Sequence, residues 1–313
     1  MTGPLAARAD LLAAATQTLA VDAQTARVVR ALRAAGVEPI LLKGPSIASW
    51  LYRDGEPRPY SDTDLLVDER RVARAQLVLT GLGYAPRPEL PGSRHPATDW
   101  CSSEGAALVD LHHRIWGWGE GRTVWAELQP HCRTMRVGGV PVRALDNVAN
   151  AVHVATHALQ PTLFAHWARK GQVDLQRALA QVSDDVWARA AELAARAGAA
   201  DAFATSLHTH AAGRALCARL GIDLPASPAP EVASALAGTA HSGAAALAEL
   251  LGSPSHAERA GMLRHRLLPP LAYARSVLPP RAGPRGPVTT YLRYWFRLAR
   301  KSPAAARAWR ASR

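Results

Sequence analysis

The chain has little cysteine, little lysine and, over its last fifth, almost no acid. Three cysteines in 313 residues, Cys101, Cys132 and Cys217, form no CxxC or zinc-ligand spacing. Their odd number excludes a disulfide scaffold and predicts a reducing compartment, the cytoplasm. Arg8 and Asp10 interrupt the alanine-rich start, so no secretory signal peptide is expected. The uncharged stretch at residues 232 to 248 is mostly Ala, Gly and Ser, too short and too weakly apolar for a bilayer span. GxxxxGK[ST] does not occur. The loop Trp116-Gly117-Trp118-Gly119-Glu120-Gly121-Arg122 lacks the strand-to-helix context of a dinucleotide fingerprint, so P-loop and Rossmann sites are excluded. His153 and His157 stand four apart without the Glu of His-Glu-x-x-His, which excludes that zinc protease motif and leaves them as one face of a helix.

Acid is missing from one place in particular. Residues 255 to 313 hold 13 basic and 1 acidic side chains, whereas residues 1 to 254 hold 24 of each, so the formal charge of +12 belongs to the tail. A basic field over the whole fold, the usual mark of a nucleic-acid binder, is therefore not indicated. Within the tail, residues 291 to 301 interleave Tyr, Trp and Phe with Arg and Lys at helical spacing. Such a segment suits an anionic membrane surface, an acidic peptide or RNA. The alternative is a helix docked on the body through Leu292, Trp295 and Phe296, with a solvated basic face.

Apolar periodicity predicts helices over residues 5 to 35, the second closed by Gly36. The run Pro39-Ile40-Leu41-Leu42 reads as a short strand entering Lys43-Gly44-Pro45-Ser46, where proline suits the start of a helix through Leu51. Residues 61 to 67 read as a second strand, after which Asp68 caps a helix reaching Gly81. Hairpins are predicted across Glu104-Gly105 and Gly138-Gly139. From Asp146 the pattern turns helical, near 146 to 158, 163 to 182, 184 to 197, 200 to 219 and 230 to 251. Pro/Gly clusters at 225 to 230 and 279 to 287 read as linkers. The expected organisation is α+β: a mixed sheet with flanking helices over residues 1 to 145, a helical bundle over 146 to 280, and a basic aromatic tail over 281 to 313.

Three elements of the first half would converge on neighbouring strands. They are the Gly turn after the first strand, Asp62-x-Asp64 on the second, and Asp110 in Leu108-Val109-Asp110-Leu111. Period-two alternation puts Asp62 and Asp64 on one face, and His112 and Arg114 on the face of Asp110. Hard carboxylate oxygens suit Mg²⁺, two ions of it, or Mn²⁺. Such ions clamp a triphosphate, activate an acceptor hydroxyl and neutralise leaving pyrophosphate. Glycine lets the backbone approach phosphate closely, and Ser46 adds a hydroxyl donor. Haloacid-type phosphatases place their apolar run before Asp-x-Asp, whereas here Leu65-Leu66-Val67 follows it. Metal-dependent glycosyltransferases lack the preceding strand, Gly turn and helix. The combination favours nucleotidyl transfer.

The runs Ile40-Leu41-Leu42-Lys43-Gly44-Pro45-Ser46, Arg58-Pro59-Tyr60-Ser61-Asp62-Thr63-Asp64-Leu65-Leu66-Val67 and Val109-Asp110-Leu111-His112 resemble the bacterial uncharacterised nucleotidyltransferase family of the polymerase-β-like superfamily. The resemblance implies a polymerase-β-like nucleotidyltransferase domain followed by an α-helical bundle. It implies Asp62 and Asp64 as metal ligands with Asp110 as third carboxylate, and Gly44 and Ser46 as the phosphate-binding turn, from which Pro45 and Lys43 depart. His157, Trp167 and Asp174 match the family's helical segment. Lys43 is one of three lysines against 34 arginines, a compact ammonium suited to phosphate beside a tight turn. Arg58 is the other candidate for phosphate charge. His112, on the face of Asp110 by its spacing, is expected to hydrogen-bond that carboxylate rather than to assist proton removal from the acceptor. The expected reaction moves an NMP from an NTP, ATP in the first instance, to an acceptor hydroxyl on a small molecule, peptide or RNA. The alternative is a catalytically silent nucleotide- or nucleic-acid-binding module that works through its tail.

Overall fold

In the computed structural model of the chain, the structure describes residues 4–53, 56–88, 97–102, 108–160, 165–229, 232, 235, 256–276, 278 and 286–311. Nearly all of the helix expected over 230 to 251, the turn Glu104-Gly105, most of the linker at 279 to 287 and the Trp167 side chain lie outside the described residues. Two compact units are present. The first comprises residues 1–86, 96–158 and 170–226, and the second residues 87–95, 159–169 and 227–313.

In the first unit, helix α1 (Pro4–Ala34) is a single element of 31 residues, where the sequence suggested two. Its alanine-rich middle contains no breaker, so one helix continues through to Gly36, whose φ of 72° ends it. A seven-stranded mixed sheet follows in the order β3-β4-β5-β2-β1-β7-β6. Its strands are β1 (Ile40–Leu41), β2 (Thr63–Leu66), β3 (Tyr84–Pro86), β4 (Ala97–Ser102), β5 (Leu108–His112), β6 (Cys132–Val137) and β7 (Val140–Leu145). The central pairings fix the site. β1 runs antiparallel to β2 with Leu41 opposite Leu65, and β2 runs parallel to β5 with Asp64 opposite Asp110.

The central strands β1 and β2 alternate between two cores. Leu41, Leu65, Val109 and Leu111 pack with Val29 and Leu32 of α1 and with Leu79 of helix α3 (Val72–Gly81). Ile40, Leu42 and Leu66 face the other way, onto Ile47 of α2 (Pro45–Leu51), Val124 of α4 (Gly121–Leu128) and Val152 of α5 (Asn147–Leu159). The same core takes in Trp187 of α7 (Asp184–Arg196) and Phe203 of α8 (Ala200–His208). Because the side-chain period is two, a slip of one residue would exchange the two cores, so the register is strongly specified. Asp64 and Asp110 share the parity of Leu66 and His112, and thus face the side of α2, α4 and α5.

Helices α6 (Ala165–Gln181), α7, α8 and α9 (Ala211–Leu220) follow closely on the sequence pattern. The helix expected over 200 to 219 is instead two, broken at Thr209 and His210; Thr209 turns its hydroxyl back to the Ser206 carbonyl at 2.6 Å, a local bond that competes with helix continuation. Asp68 caps as expected, its carboxylate accepting from Arg70 N at 3.0 Å, but over a short 3-10 turn (Glu69–Arg71) that leads into α3. The Trp116 to Arg122 loop is a packed turn: Trp118 is buried and donates its ring N–H to Thr156 at 3.0 Å.

The second unit contains α10 (His256–Leu267), α11 (Leu271–Ser276) and the long tail helix α12 (Pro287–Ala311). Among the described residues no helix is long and apolar enough to cross a membrane.

Candidate active site

The site begins where β1 ends. Leu42 N–H donates to the Asp64 carbonyl at 3.1 Å, which carries the chain one residue beyond the strand and delivers Lys43 to the face of the β2 acids. Gly44 then adopts φ 63° and ψ −119°, a conformation closed to side-chain-bearing residues at ordinary cost. The Tyr60 ring lies over it, 3.5 Å from where a Cβ would stand, and Tyr60 is tied down by donating its hydroxyl to Asp22 at 2.7 Å. Pro45 opens α2 at its first position, where its missing N–H costs nothing.

Lys43 Nζ is 2.6 Å from Asp64 Oδ1, and His112 Nε2 is 3.1 Å from the same oxygen. Burial opposes ionisation of Asp64, but the Lys43 charge and the His112 hydrogen bond overcome it and hold the carboxyl well below the usual carboxylate range. Burial likewise disfavours the Lys43 ammonium, yet Asp64, Asp62 and Asp110 together keep its pKa above the ordinary value. Asp110 goes the opposite way. Burial first, then the charges of Asp64 and Asp99, push it up to about 9, and its Oδ1 is buried without a hydrogen-bond partner. Asp62, just before β2, is also raised, by burial and then by Asp64.

Ligand atoms of Asp64, Asp110 and His112 lie within 4.8 Å of one another. A buried, unpartnered carboxylate oxygen beside an ionised carboxylate and an imidazole is a donor set that fits a hard divalent cation. Asp62 lies outside this group, and His112 bonds Asp64 across the strand pair rather than Asp110 on its own strand.

Two residues read from the sequence as phosphate partners are committed elsewhere. Ser46 is fully buried and shares a hydrogen bond with the Asn150 side chain at 3.3 to 3.4 Å, while Asn150 also donates to the Leu145 carbonyl. The Arg58 guanidinium grips both oxygens of Asp174 in α6, at 2.9 and 2.6 Å, with both side chains buried. Its remaining NH1 reaches the Gly44 carbonyl at 3.4 Å, and Tyr52 donates to Asp174 at 2.7 Å. This network binds the Gly44 turn and the end of α2 to α6.

Sequence reasoning missed Lys170. Its ammonium donates to the Pro59 carbonyl at 2.7 Å and lies within electrostatic reach of Asp62 and Asp64. Burial, then the Arg58 charge, lowers it to about 8. The signal was available, since Lys170 is one of only three lysines and two of them stand at this site. His153 is buried on α5 with neither ring nitrogen hydrogen-bonded, stacked on His157 with centroids 5.8 Å apart. Burial, then the charges of His157 and Lys43, keep it neutral.

A family model described as uncharacterised nucleotidyltransferase matches residues 5–212. Solved structures with some likeness include the antibiotic-resistance factor ANT(2'')-Ia in solution, with 17% identity, a TM-score of 0.39, and coverage of 58% of this chain and 92% of that one. Its crystal structure with adenylyl-2''-tobramycin has 18% identity, a TM-score of 0.38, and coverage of 54% and 94%. An antigenic nucleotidyltransferase-like protein from Paracoccidioides brasiliensis has 14% identity, a TM-score of 0.35, and coverage of 66% and 94%. No curated protein sequence matches the chain significantly. With the family model spanning the sheet, the carboxylates and the helices that cover them, the chain belongs to the uncharacterised nucleotidyltransferase family, and its activity is nucleotidyl transfer.

Proposed function

We propose that the protein transfers an NMP from an NTP, with ATP the first to test, to an acceptor hydroxyl, and that it does so with a divalent cation, Mg²⁺ or Mn²⁺. The observation that carries this reading is the meeting of Asp64, Asp110 and His112 beside Lys43 and the Gly44 turn. Asp64, Asp110 and His112 are the residues that would hold the metal, and Asp62, outside that group but within reach of the Asp64 charge, is the further carboxylate to test. When bound, such an ion neutralises triphosphate charge and polarises the α-phosphoryl group.

The chain's own residues divide the remaining work. Lys43 is the counter-ion of the acids in the resting site and a phosphate partner once nucleotide enters. Gly44 brings backbone close to the phosphates, and Ser46 and Arg58 hold that turn in place through Asn150 and Asp174. Asp64 and Asp110 have environments that drive their proton affinities apart, the usual sign of distinct roles. Asp64 is the standing anion. Asp110, which would give up its own proton with a divalent cation beside it, is the group that would take the acceptor's proton as the acceptor oxygen bonds the α-phosphorus; the bond from that phosphorus to the bridging oxygen breaks, and pyrophosphate leaves.

The test is release of pyrophosphate, and transfer of label from α-³²P NTPs, with Mg²⁺ or Mn²⁺ and an acceptor panel of hydroxyl-bearing small molecules, peptides and RNA. Loss of transfer in Asp62→Asn and Asp64→Asn proteins that remain folded supports the reading. Wild-type transfer rates in both would overturn it, and NTP binding with no pyrophosphate release by the wild type would favour a silent binding module.

A further inference from the structure

The tail helix presents its apolar stripe away from its own unit. Thr290 and Tyr294, four residues apart and therefore on one face, are 1% and 7% exposed. The helix is held on that side by hydroxyl bonds from Tyr291 to the Pro269 carbonyl and from Tyr294 to the Arg266 carbonyl, at 2.7 and 2.8 Å. Val288, Leu292 and Phe296 repeat at the same spacing on another face and are 72%, 57% and 65% exposed. Trp295 donates its ring N–H to the Leu267 carbonyl at 2.6 Å and is itself exposed, as are Leu267 and Leu268. A helix that served only to close a core would turn this stripe inward.

One border of the stripe is cationic. Arg297 and Arg300 are exposed and Arg293 is half-exposed. The Arg300 guanidinium lies 5.6 Å over the Phe296 ring, and no acid occurs between residues 287 and 313. Apolar exposure framed by cations alone complements one kind of surface, an apolar layer that carries negative charge. RNA would engage the arginines but would leave Val288 and Leu292 in water. An acidic peptide would do the same. We propose that α12 docks the protein on the surface of an anionic lipid bilayer, lying in the plane with Val288, Leu292 and Phe296 inserted and its arginines at the headgroups.

Flotation of the full chain with vesicles is the direct test. Binding is expected to an equal mixture of phosphatidylcholine and phosphatidylglycerol, to weaken as salt rises, and to be absent with phosphatidylcholine alone. The Leu292→Ser/Phe296→Ser double variant should partition about tenfold more weakly, and Arg293→Gln/Arg297→Gln should lose the preference for anionic lipid. Because Leu292 and Phe296 point to solvent, an unchanged melting temperature confirms the fold; if it changes, Val288→Ser supplies the same readout from the adjacent turn. Equal binding to both vesicle types, or binding that survives these apolar substitutions, would overturn the proposal. So would tighter binding of an RNA oligonucleotide or a polyglutamate peptide that depends on the arginines and not on Leu292 and Phe296.

Discussion

Lys43 and Asp64, on neighbouring strand ends, form a 2.6 Å ion pair in which the acid is almost fully enclosed. A lone carboxylate there would be costly to bury, and the Lys43 ammonium offsets that cost for Asp64 before substrate arrives. Replacing Lys43 with Met should destabilise the protein by about 3 kcal/mol or more, because the acids lose their buried counter-charge. Urea denaturation measures this. A second effect is expected in NTP affinity, which Lys43→Arg should preserve only partly, because the planar guanidinium fork needs more room beside Gly44.

Asp64→Asn and Asp110→Asn should each reduce nucleotidyl transfer on the order of a thousandfold, about 4 kcal/mol of barrier. Asp110→Asn should leave stability unchanged or raised, since a carboxyl with a raised pKa is a burden on the fold at neutral pH. A Mn²⁺ titration should show binding to the wild type and its loss in both variants. Unaltered Mn²⁺ binding in the double variant would remove these acids from the metal site.

Arg58 and Asp174 are 116 residues apart and buried together. Truncating either alone should cost about 3 to 5 kcal/mol, whereas Arg58→Met with Asp174→Leu should recover most of that loss. If the pair also positions the Gly44 turn, the double variant should be stable and still slow. A double-mutant cycle read in both stability and transfer rate separates the two contributions.

Lys170 gives a pH dependence with a definite sign. Its folded pKa of about 8 lies below the ordinary 10.5, so the folded protein loses this proton before the unfolded chain does. The group therefore opposes folding fully below about pH 8, and that penalty is relieved as pH rises from 8 toward 10.5. The Lys170 ammonium, beside Asp62 and Asp64, is predicted to attract phosphate as well, and that attraction follows the charge in the other direction. NTP affinity should fall as pH rises through about 8, and Lys170→Arg should flatten the profile, as fluorescence titration with a labelled NTP analogue would show.

Gly44→Ala tests the turn. A Cβ would meet only the Tyr60 ring at 3.5 Å, an ordinary contact, so space is not the obstacle. The obstacle is the backbone at φ 63° and ψ −119°, and the expected cost is about 1 to 3 kcal/mol with a matching loss of transfer. Wild-type stability in Gly44→Ala would show that the turn relaxes freely.

Local chemistry made much of this legible in the chain itself. Strand alternation in Ile40-Leu41-Leu42 and Leu65-Leu66-Val67, the Gly44-Pro45 turn, the shared parity of the acids and the basic tail all follow from neighbours within a few residues, where backbone sterics and side-chain period decide the outcome. That was enough for the α+β fold and for the family. Pairings across the fold were beyond it. That Arg58 would spend its guanidinium on Asp174, Ser46 its hydroxyl on Asn150 and His112 its ring on Asp64 depends on which helix covers which strand. So does the place of Lys170 beside the acids. The apolar stripe of the tail helix can be read from spacing, but only the packing of Thr290 and Tyr294 decides that it faces outward. Such contacts arise from long-range burial, and no side chain carries the identity of its distant partner in its own sequence neighbourhood.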